Sequence, residues 1–143
     1  MRAPLSRKPL GGRRAEWWRL PLFVIAFSAC AIPTKSSKAD LVGQWRVDHA
    51  FGRELLNLKN DGSFDQTLTH KSGKSQHSSG RWDVKLDDGQ SVVHLQSAII
   101  FGDPFGKPSN ELTPGDWDLR AVTVWGKLTL EFNPDLEGFT RGQ

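Results

Sequence analysis

The sequence predicts an all-β domain, an antiparallel meander of seven or eight short strands that forms a small barrel, with a β-sandwich as the alternative. Apolar and polar residues alternate in most segments after residue 40, and this two-residue period is typical of half-buried strands. Asp-Gly pairs at Asp61-Gly62 and Asp88-Gly89 separate such segments and predict hairpin turns. We favour the barrel because closure removes the exposed edges of a meander.

The predicted strands share this alternation and follow one another at intervals of about 10–12 residues, as expected for a small β domain. They are LVGQWRV (41–47), ELLNLK (54–59), SFDQTLTH (63–70), GRWDVKL (80–86), SVVHLQ (91–96), WDLRAVTVW (117–125), KLTLEF (127–132) and LEGFTR (136–141). The polar segment KSGKSQHSS (71–79) is predicted to be a loop. A helical repeat does not extend beyond about one turn anywhere, so little helix is expected.

The alternation breaks between Ser97 and Asp116, where prolines and glycines surround isoleucines and phenylalanines. Irregular segments longer than about 12–15 residues are uncommon in compact domains and often serve as lids or binding loops. Phe101, Phe105 and, at the end of the loop, Trp117 are therefore the predicted ligand-binding residues.

The first 29 residues have the pattern of a secretory signal peptide. Residues 1–19 hold six basic side chains and one acidic one, and the apolar segment LPLFVIAFSA (20–29) follows. Ten apolar residues are too few for a transmembrane helix, which needs roughly 20. A basic region, a short apolar region and small residues at its end are typical of an export signal.

The sequence FSAC (27–30) resembles the lipobox of bacterial lipoprotein signals, although Phe27 stands where that pattern prefers leucine. The resemblance implies that Cys30 is acylated and holds the protein at a membrane, extracytoplasmically. Residues 30–40 would then be the lipidated cysteine and a flexible tether, and residues 41–143 the β domain. The alternative is an ordinary cleaved signal and a free periplasmic or secreted protein.

The charge and cysteine content exclude two other classes of protein. The chain has 19 basic and 16 acidic residues, but without the first 29 residues the counts are 13 and 15. The basic character therefore belongs to the leader, and no nucleic-acid partner is expected. Cys30 is the single cysteine, so an intramolecular disulfide framework is excluded.

Motifs for catalysis, metals and cofactors are not found. The histidines His49, His70, His77 and His94 lack the spacing of zinc ligands. A metal held by His70 and His94 together is a minor alternative. The turn carboxylates Asp87 and Asp88 are explained by their backbone role. We therefore expect no catalytic residue, no metal site and no cofactor.

Two Gly-x-Trp sequences suggest a family. LVGQW, with Gly43 and Trp45, DGSF at 61–64 and GRW, with Gly80 and Trp82, together resemble bacterial lipocalin-like domains of the calycin type. The resemblance implies a small antiparallel barrel whose first tryptophan covers the closed end under an arginine from the last strand. Arg141 is the first candidate for that arginine and Arg120 the second.

The sequence thus predicts a non-catalytic binding module, tethered to a membrane, that holds a small apolar ligand under the long loop. The alternative is an envelope-structural lipoprotein that uses the same loop to bind a protein and has no ligand cavity. An enzymatic function would require two titratable side chains that converge in one pocket.

Overall fold

A computed structural model describes residues 31–99, 114–133 and 137–142 of the chain, and every structural statement below concerns this part. It contains one short helix, α1 (Lys38–Leu41). The strands are β1 (Ile32–Pro33), β2 (Gly43–His49), β3 (Gly52–Leu58), β4 (Ser63–His70), β5 (Ser75–Asp87), β6 (Gln90–Ala98), β7 (Gly115–Val124), β8 (Lys127–Asn133) and β9 (Glu137–Arg141).

The strands form one closed antiparallel barrel. Each strand from β2 to β8 pairs with the next strand in sequence, and β9 pairs with both β8 and β2. The pairs Trp45↔Arg141 and Leu130↔Phe139 join β9 to both neighbours and close the ring of eight strands. The ninth strand, β1, pairs only with β7. The predicted all-β fold and the barrel are confirmed, and the sandwich alternative is not the observed arrangement.

The inward-facing side chains fill the barrel and follow the alternation that the sequence predicts. In β3, Glu54, Leu56 and Leu58 face inward, while Arg53 and Leu55 face outward and are more exposed. The buried apolar core is formed by Leu41, Trp45, Val47, Leu56, Leu58, Phe64, Trp82, Val93, Leu95, Ala98, Leu119, Ala121, Leu130 and Phe139. Burial of this apolar surface is the main driving force for folding.

The segment 71–79 differs from its prediction as a loop. The connection occupies only residues 71–74, and Ser75 begins β5, which continues for 13 residues. The pairs Thr69↔Ser75 and Leu68↔Gln76 extend the ladder with β4. Backbone hydrogen bonds of the ladder hold residues 75–79 in the strand. Because their side chains are little buried, this part of the strand can be polar.

The segment after Cys30 also differs from its prediction as a flexible tether. Ile32 and Pro33 pair with Thr123 and Val122 of β7, and α1 follows directly. Ser37 and Asp40 form a capping box in which each side chain accepts a hydrogen bond from the backbone of the other. No helix of the described segments has the length and hydropathy needed to cross a membrane.

The two ends of the barrel are different. One end, called the closed end below, has α1 with the fully buried Leu41, the two-residue turns Asp88-Gly89 and Trp125-Gly126, and the β3–β4 turn. The opposite end, called the loop end, has the connections 50–51 and 71–74, and the strands that flank residues 100–113 and 134–136 also terminate there.

Candidate functional site at the loop end

A buried polar network lies inside the barrel at the loop end. His49, the last residue of β2, and Glu54 of β3 approach to 2.9 Å between Nε2 and Oε2. Gln66 of β4 donates from Nε2 to Oε1 of Glu54 at 2.6 Å. The exposed fractions are 8% for His49, 1% for Glu54 and 1% for Gln66. Both oxygens of the carboxylate are therefore engaged in a space with little water.

The same network fixes the backbone where β6 has ended. The Gln66 side chain donates to the carbonyl of Ile99 at 2.9 Å and accepts from its N–H at 3.1 Å. Just before this point, Ser97 has a φ of 64°, and the β6–β7 register shifts between Leu95 and Ala98. This bulge turns the chain toward Gln66, so that Ile99, the last described residue of this segment, has a fixed position.

Aromatic rings surround the polar network. Phe51 stacks on His49 with a centroid distance of 4.9 Å and an interplanar angle of 4°. Phe132 lies 6.2 Å from His49 and 5.5 Å from Trp117. Phe139 completes the cluster at 6.0 Å from Trp117. Phe51, Trp117 and Phe132 are only partly buried, so the loop end presents aromatic surface beside the network.

Of the three predicted ligand-binding residues, the structure places Trp117 in this cluster, at the start of β7 and against the core. Phe101 and Phe105 lie outside the described residues, as does Cys30.

The predicted structural motif residues occupy the closed end. Trp45 is fully buried, and its Nε1–H donates to the Leu41 carbonyl at 2.9 Å. The guanidinium carbon of Arg141 lies 5.0 Å from the centroid of its ring. Gly43 has a φ of 134°, a conformation that favours glycine. Arg120, the second candidate arginine, is exposed on β7.

The second Gly-x-Trp sequence repeats this arrangement. The Nε1–H of Trp82 donates to the Lys59 carbonyl at 2.9 Å, and Nζ of Lys38 lies 4.9 Å from the ring centroid. A Cβ atom on Gly80 would lie 2.1 Å from the Gln96 carbonyl oxygen, so glycine is required there by close packing. Both tryptophans therefore cover the closed end under a cation.

The histidines do not form a metal site in the described part of the chain. His70 faces the interior near Phe51, whereas His94 faces outward and contacts Asp118 at 2.6 Å across the β6–β7 pair. The two histidines lie on opposite surfaces of the sheet, so they do not bind one ion together. Within the described residues, three or more potential metal ligands do not converge anywhere.

A concave surface runs along the outside of β2, β3, β8 and β9 and has a volume of about 710 Å³. Its cationic lining residues are Arg46, Arg53, Lys127 and Arg141. Arg53 and Arg46 both contact Asp48, at 2.6 and 3.5 Å. The hydrogen bond from Arg53 is the main cause that lowers the pKa of Asp48 below its usual value. The acid thus offsets part of the positive charge of this groove.

Sequence reasoning missed His49, Glu54 and Gln66 as a site. The signal was present in the alternation, because Glu54 takes an inward position in a strand whose other inward side chains are leucines. Gln66 similarly lies between the inward Phe64 and Leu68. A charged or amide side chain at an inward position requires a buried partner, and the strand pairing supplies it.

The comparisons with known proteins identify no relative: no family model, no curated protein and no solved structure matches this chain. The fold and the site therefore define the class of protein, a closed eight-stranded antiparallel barrel of a kind compatible with lipocalin-like domains.

Proposed function

We propose that the protein is a non-catalytic binding module of the lipocalin-like type, exported and held at a membrane, that takes a small ligand at the loop end. The ligand is mainly apolar. The observation that carries the proposal is the partly exposed aromatic cluster of Phe51, Trp117 and Phe132 around a buried carboxylate.

The composition of this end supports ligand binding. Small-molecule sites are concave, mostly apolar and contain a few fixed polar groups that orient the ligand. Phe132 and Trp117 supply apolar surface. The polar network beside them is hydrogen-bonded within itself and holds the framework of the site in place, so we keep the small apolar ligand that the sequence suggests.

The engagement of Glu54 supports binding in preference to acid–base catalysis. A general base needs a lone pair directed at the substrate proton. One oxygen of Glu54 contacts His49 and the other accepts from Gln66, which itself holds Ile99. The network is thus a rigid structural unit that positions the start of the long segment.

Export and membrane attachment are supported by the leader, with its basic region, its ten apolar residues and Cys30. Mass spectrometry of the protein purified from its native envelope tests this part. A mature N-terminus at Cys30 that carries a diacylglyceryl group is expected. An unmodified Cys30, or a retained leader, would contradict membrane attachment through this residue.

Ligand binding is tested by fluorescence titration of the full chain with N-phenyl-1-naphthylamine, a neutral apolar probe. Saturable enhancement is expected. Trp117→Ala should weaken binding by roughly tenfold to a hundredfold, because burial of an aromatic side chain contributes about 1.5–3 kcal/mol. The matched control is Trp125→Ala, since Trp125 lies in the turn at the closed end.

Circular dichroism and thermal unfolding would verify that both variants are folded, and Trp117→Phe provides a milder substitution. Equal weakening in the two alanine variants, or no saturable binding, would contradict the proposal. In the second case the protein-interaction function expected as the alternative would take its place.

A further inference from the structure

The closed end carries an unusual group of exposed apolar side chains. Among the described residues, the large apolar side chains that are mostly exposed are Ile32, Leu86 and Trp125, at 61%, 60% and 71%. All three lie at the closed end, and we call them the apolar rim. A soluble surface has many scattered apolar atoms, but a grouping at one end indicates a contact surface.

The strand pairing brings the three residues to the same end. Ile32 pairs with Thr123, two residues before Trp125. Leu86 pairs with Ser91 at the tip of the β5–β6 hairpin. The Ser91 N–H donates to the Thr34 carbonyl at 3.0 Å, which attaches this hairpin to the chain that follows β1.

Trp125 occupies a turn position whose positive φ is unfavourable for a tryptophan. Trp125-Gly126 is a two-residue turn with φ values of 52° and 74°, and Asp88-Gly89 at the same end is a turn of the same kind with φ values of 45° and 79°. Asn, Asp and Gly favour the first position, whereas a bulky residue with positive φ is strained. Trp125 is also largely exposed, so neither its backbone conformation nor core packing explains a tryptophan here.

The course of the chain indicates what covers the rim. Ala31 immediately precedes β1, so Cys30, the mature N-terminus in the proposed function, joins the barrel at this end. Only Ala31 lies between Cys30 and Ile32, so their Cα atoms are at most about 7 Å apart. Membrane attachment at Cys30 therefore brings the apolar rim to the bilayer surface.

The charged side chains at this end are also suited to contact with a bilayer surface. Lys35, Lys85 and Lys127 are exposed near the rim, beside the turn carboxylates Asp87 and Asp88. Tryptophan is enriched at the interface between bilayer and water, where its ring is buried and its N–H stays hydrated. Lysines extend toward lipid headgroups from the same depth.

We propose that the apolar rim rests on a lipid bilayer, with Trp125, Ile32 and Leu86 in the headgroup region and the loop end directed away from the membrane. The choice of a bilayer rests on the membrane attachment in the proposed function, but the orientation of the barrel goes beyond it. The test below uses unmodified Cys30 and no ligand, so failure of the apolar rim to contact lipid is distinguishable from failure of acylation or of ligand binding.

The test uses the full chain with unmodified Cys30, labelled with 5-fluorotryptophan and observed by fluorine NMR. Single Trp→Phe substitutions assign the resonances. Bicelles of phosphatidylcholine and phosphatidylglycerol contain a lipid with a nitroxide on its headgroup. The Trp125 resonance should broaden several times more than that of Trp117, which lies at the loop end and is the internal control. Equal broadening of Trp117, or a sharp Trp125 line, would overturn the proposal.

A second variant separates lipid contact from folding. Trp125→Asn relieves the strained turn, so its unfolding temperature should equal or exceed that of the unsubstituted chain. Its partition into the same lipids, measured by vesicle flotation, should fall several-fold. Unchanged flotation would overturn the proposal. So would a Trp125 resonance that broadens with protein concentration without lipid and not with bicelles, since a second copy would then cover the rim.

Discussion

The guanidinium carbon of Arg141 lies 5.0 Å from the centroid of the Trp45 ring, and its Nη2 donates to the Asp40 carbonyl. One side chain thus joins β9, the last strand, to β2 and to α1 at the closed end. Because β9 pairs with β2 over only two residue pairs, this contact is a main support of barrel closure.

Arg141→Ala should therefore lower the free energy of unfolding by about 1–2 kcal/mol, from loss of the cation–π contact and the hydrogen bond. Urea denaturation followed by circular dichroism measures this. Arg120→Ala is the matched control, because Arg120 is an exposed arginine of β7. Equal losses in the two variants would show that Arg141 has no special part in closure.

Gly80→Ala should destabilise the barrel severely. The added Cβ would lie 2.1 Å from the Gln96 carbonyl oxygen and 2.9 Å from Cε1 of Phe64, and both are fixed by the sheet and the core. We expect a loss of about 3 kcal/mol or more. Gly115→Ala is the control, because a Cβ there would meet no atom within 4 Å. Thermal unfolding of both variants tests this prediction. A Gly80 variant as stable as the Gly115 variant would contradict the close packing of Gly80 against Gln96 and Phe64.

Glu54→Ala should cost about 2–4 kcal/mol, because it leaves the buried Gln66 and His49 without the carboxylate. Asp65→Ala removes an acid that is also ion-paired, at 2.6 Å from Lys59, but about half exposed. That change should cost less than about 1 kcal/mol. Urea denaturation of both variants gives the comparison, and similar costs would indicate that the network is solvated.

Stability should fall in acid through Asp40. Hydrogen bonds from Ser37 lower the pKa of Asp40 below its usual value of 3.8. A carboxyl group with a lowered folded-state pKa stabilises the fold above the unfolded value, and this contribution disappears as the pH falls below 3.8 through the folded-state pKa.

The stability difference between the unsubstituted chain and Asp40→Asn should therefore be constant above about pH 5 and shrink below pH 3.8. Urea midpoints measured from pH 6 to pH 2.5 test this. Ser37→Ala, which removes the hydroxyl donor, should reduce the same acid dependence. A difference that is independent of pH would show that the capping box does not act through the charge of Asp40.

The barrel itself could be predicted because the sequence signals for its strands and turns lie in neighbouring residues. Alternation in segments such as 41–47, and the turns Asp61-Gly62 and Asp88-Gly89, are read directly from neighbouring residues. The prediction was wrong for residues 75–79, because their pairing with β4 depends on a distant ladder and not on apolar burial.

The site could be predicted only in part, because it depends on contacts between strands. Trp117 was predicted from its position after the loop, and the structure places it in the aromatic cluster, whereas its part in ligand binding stays a prediction. His49, Glu54 and Gln66 are ordinary residues of three separate predicted strands, and only the register of β2, β3 and β4 brings them together. A rule that requires a partner for every inward polar residue would have identified Glu54.

The most direct test of the central claim is the location of a bound ligand. Titration of the isotope-labelled full chain with N-phenyl-1-naphthylamine, followed by backbone and indole NMR shifts, gives that location. We predict saturable shifts at the Trp117 indole, Phe51 and the Gln66 side-chain amide, with Trp82 unchanged. Shifts confined to the outer groove around Arg46 and Lys127, or no shifts at all, would contradict a ligand site at the loop end.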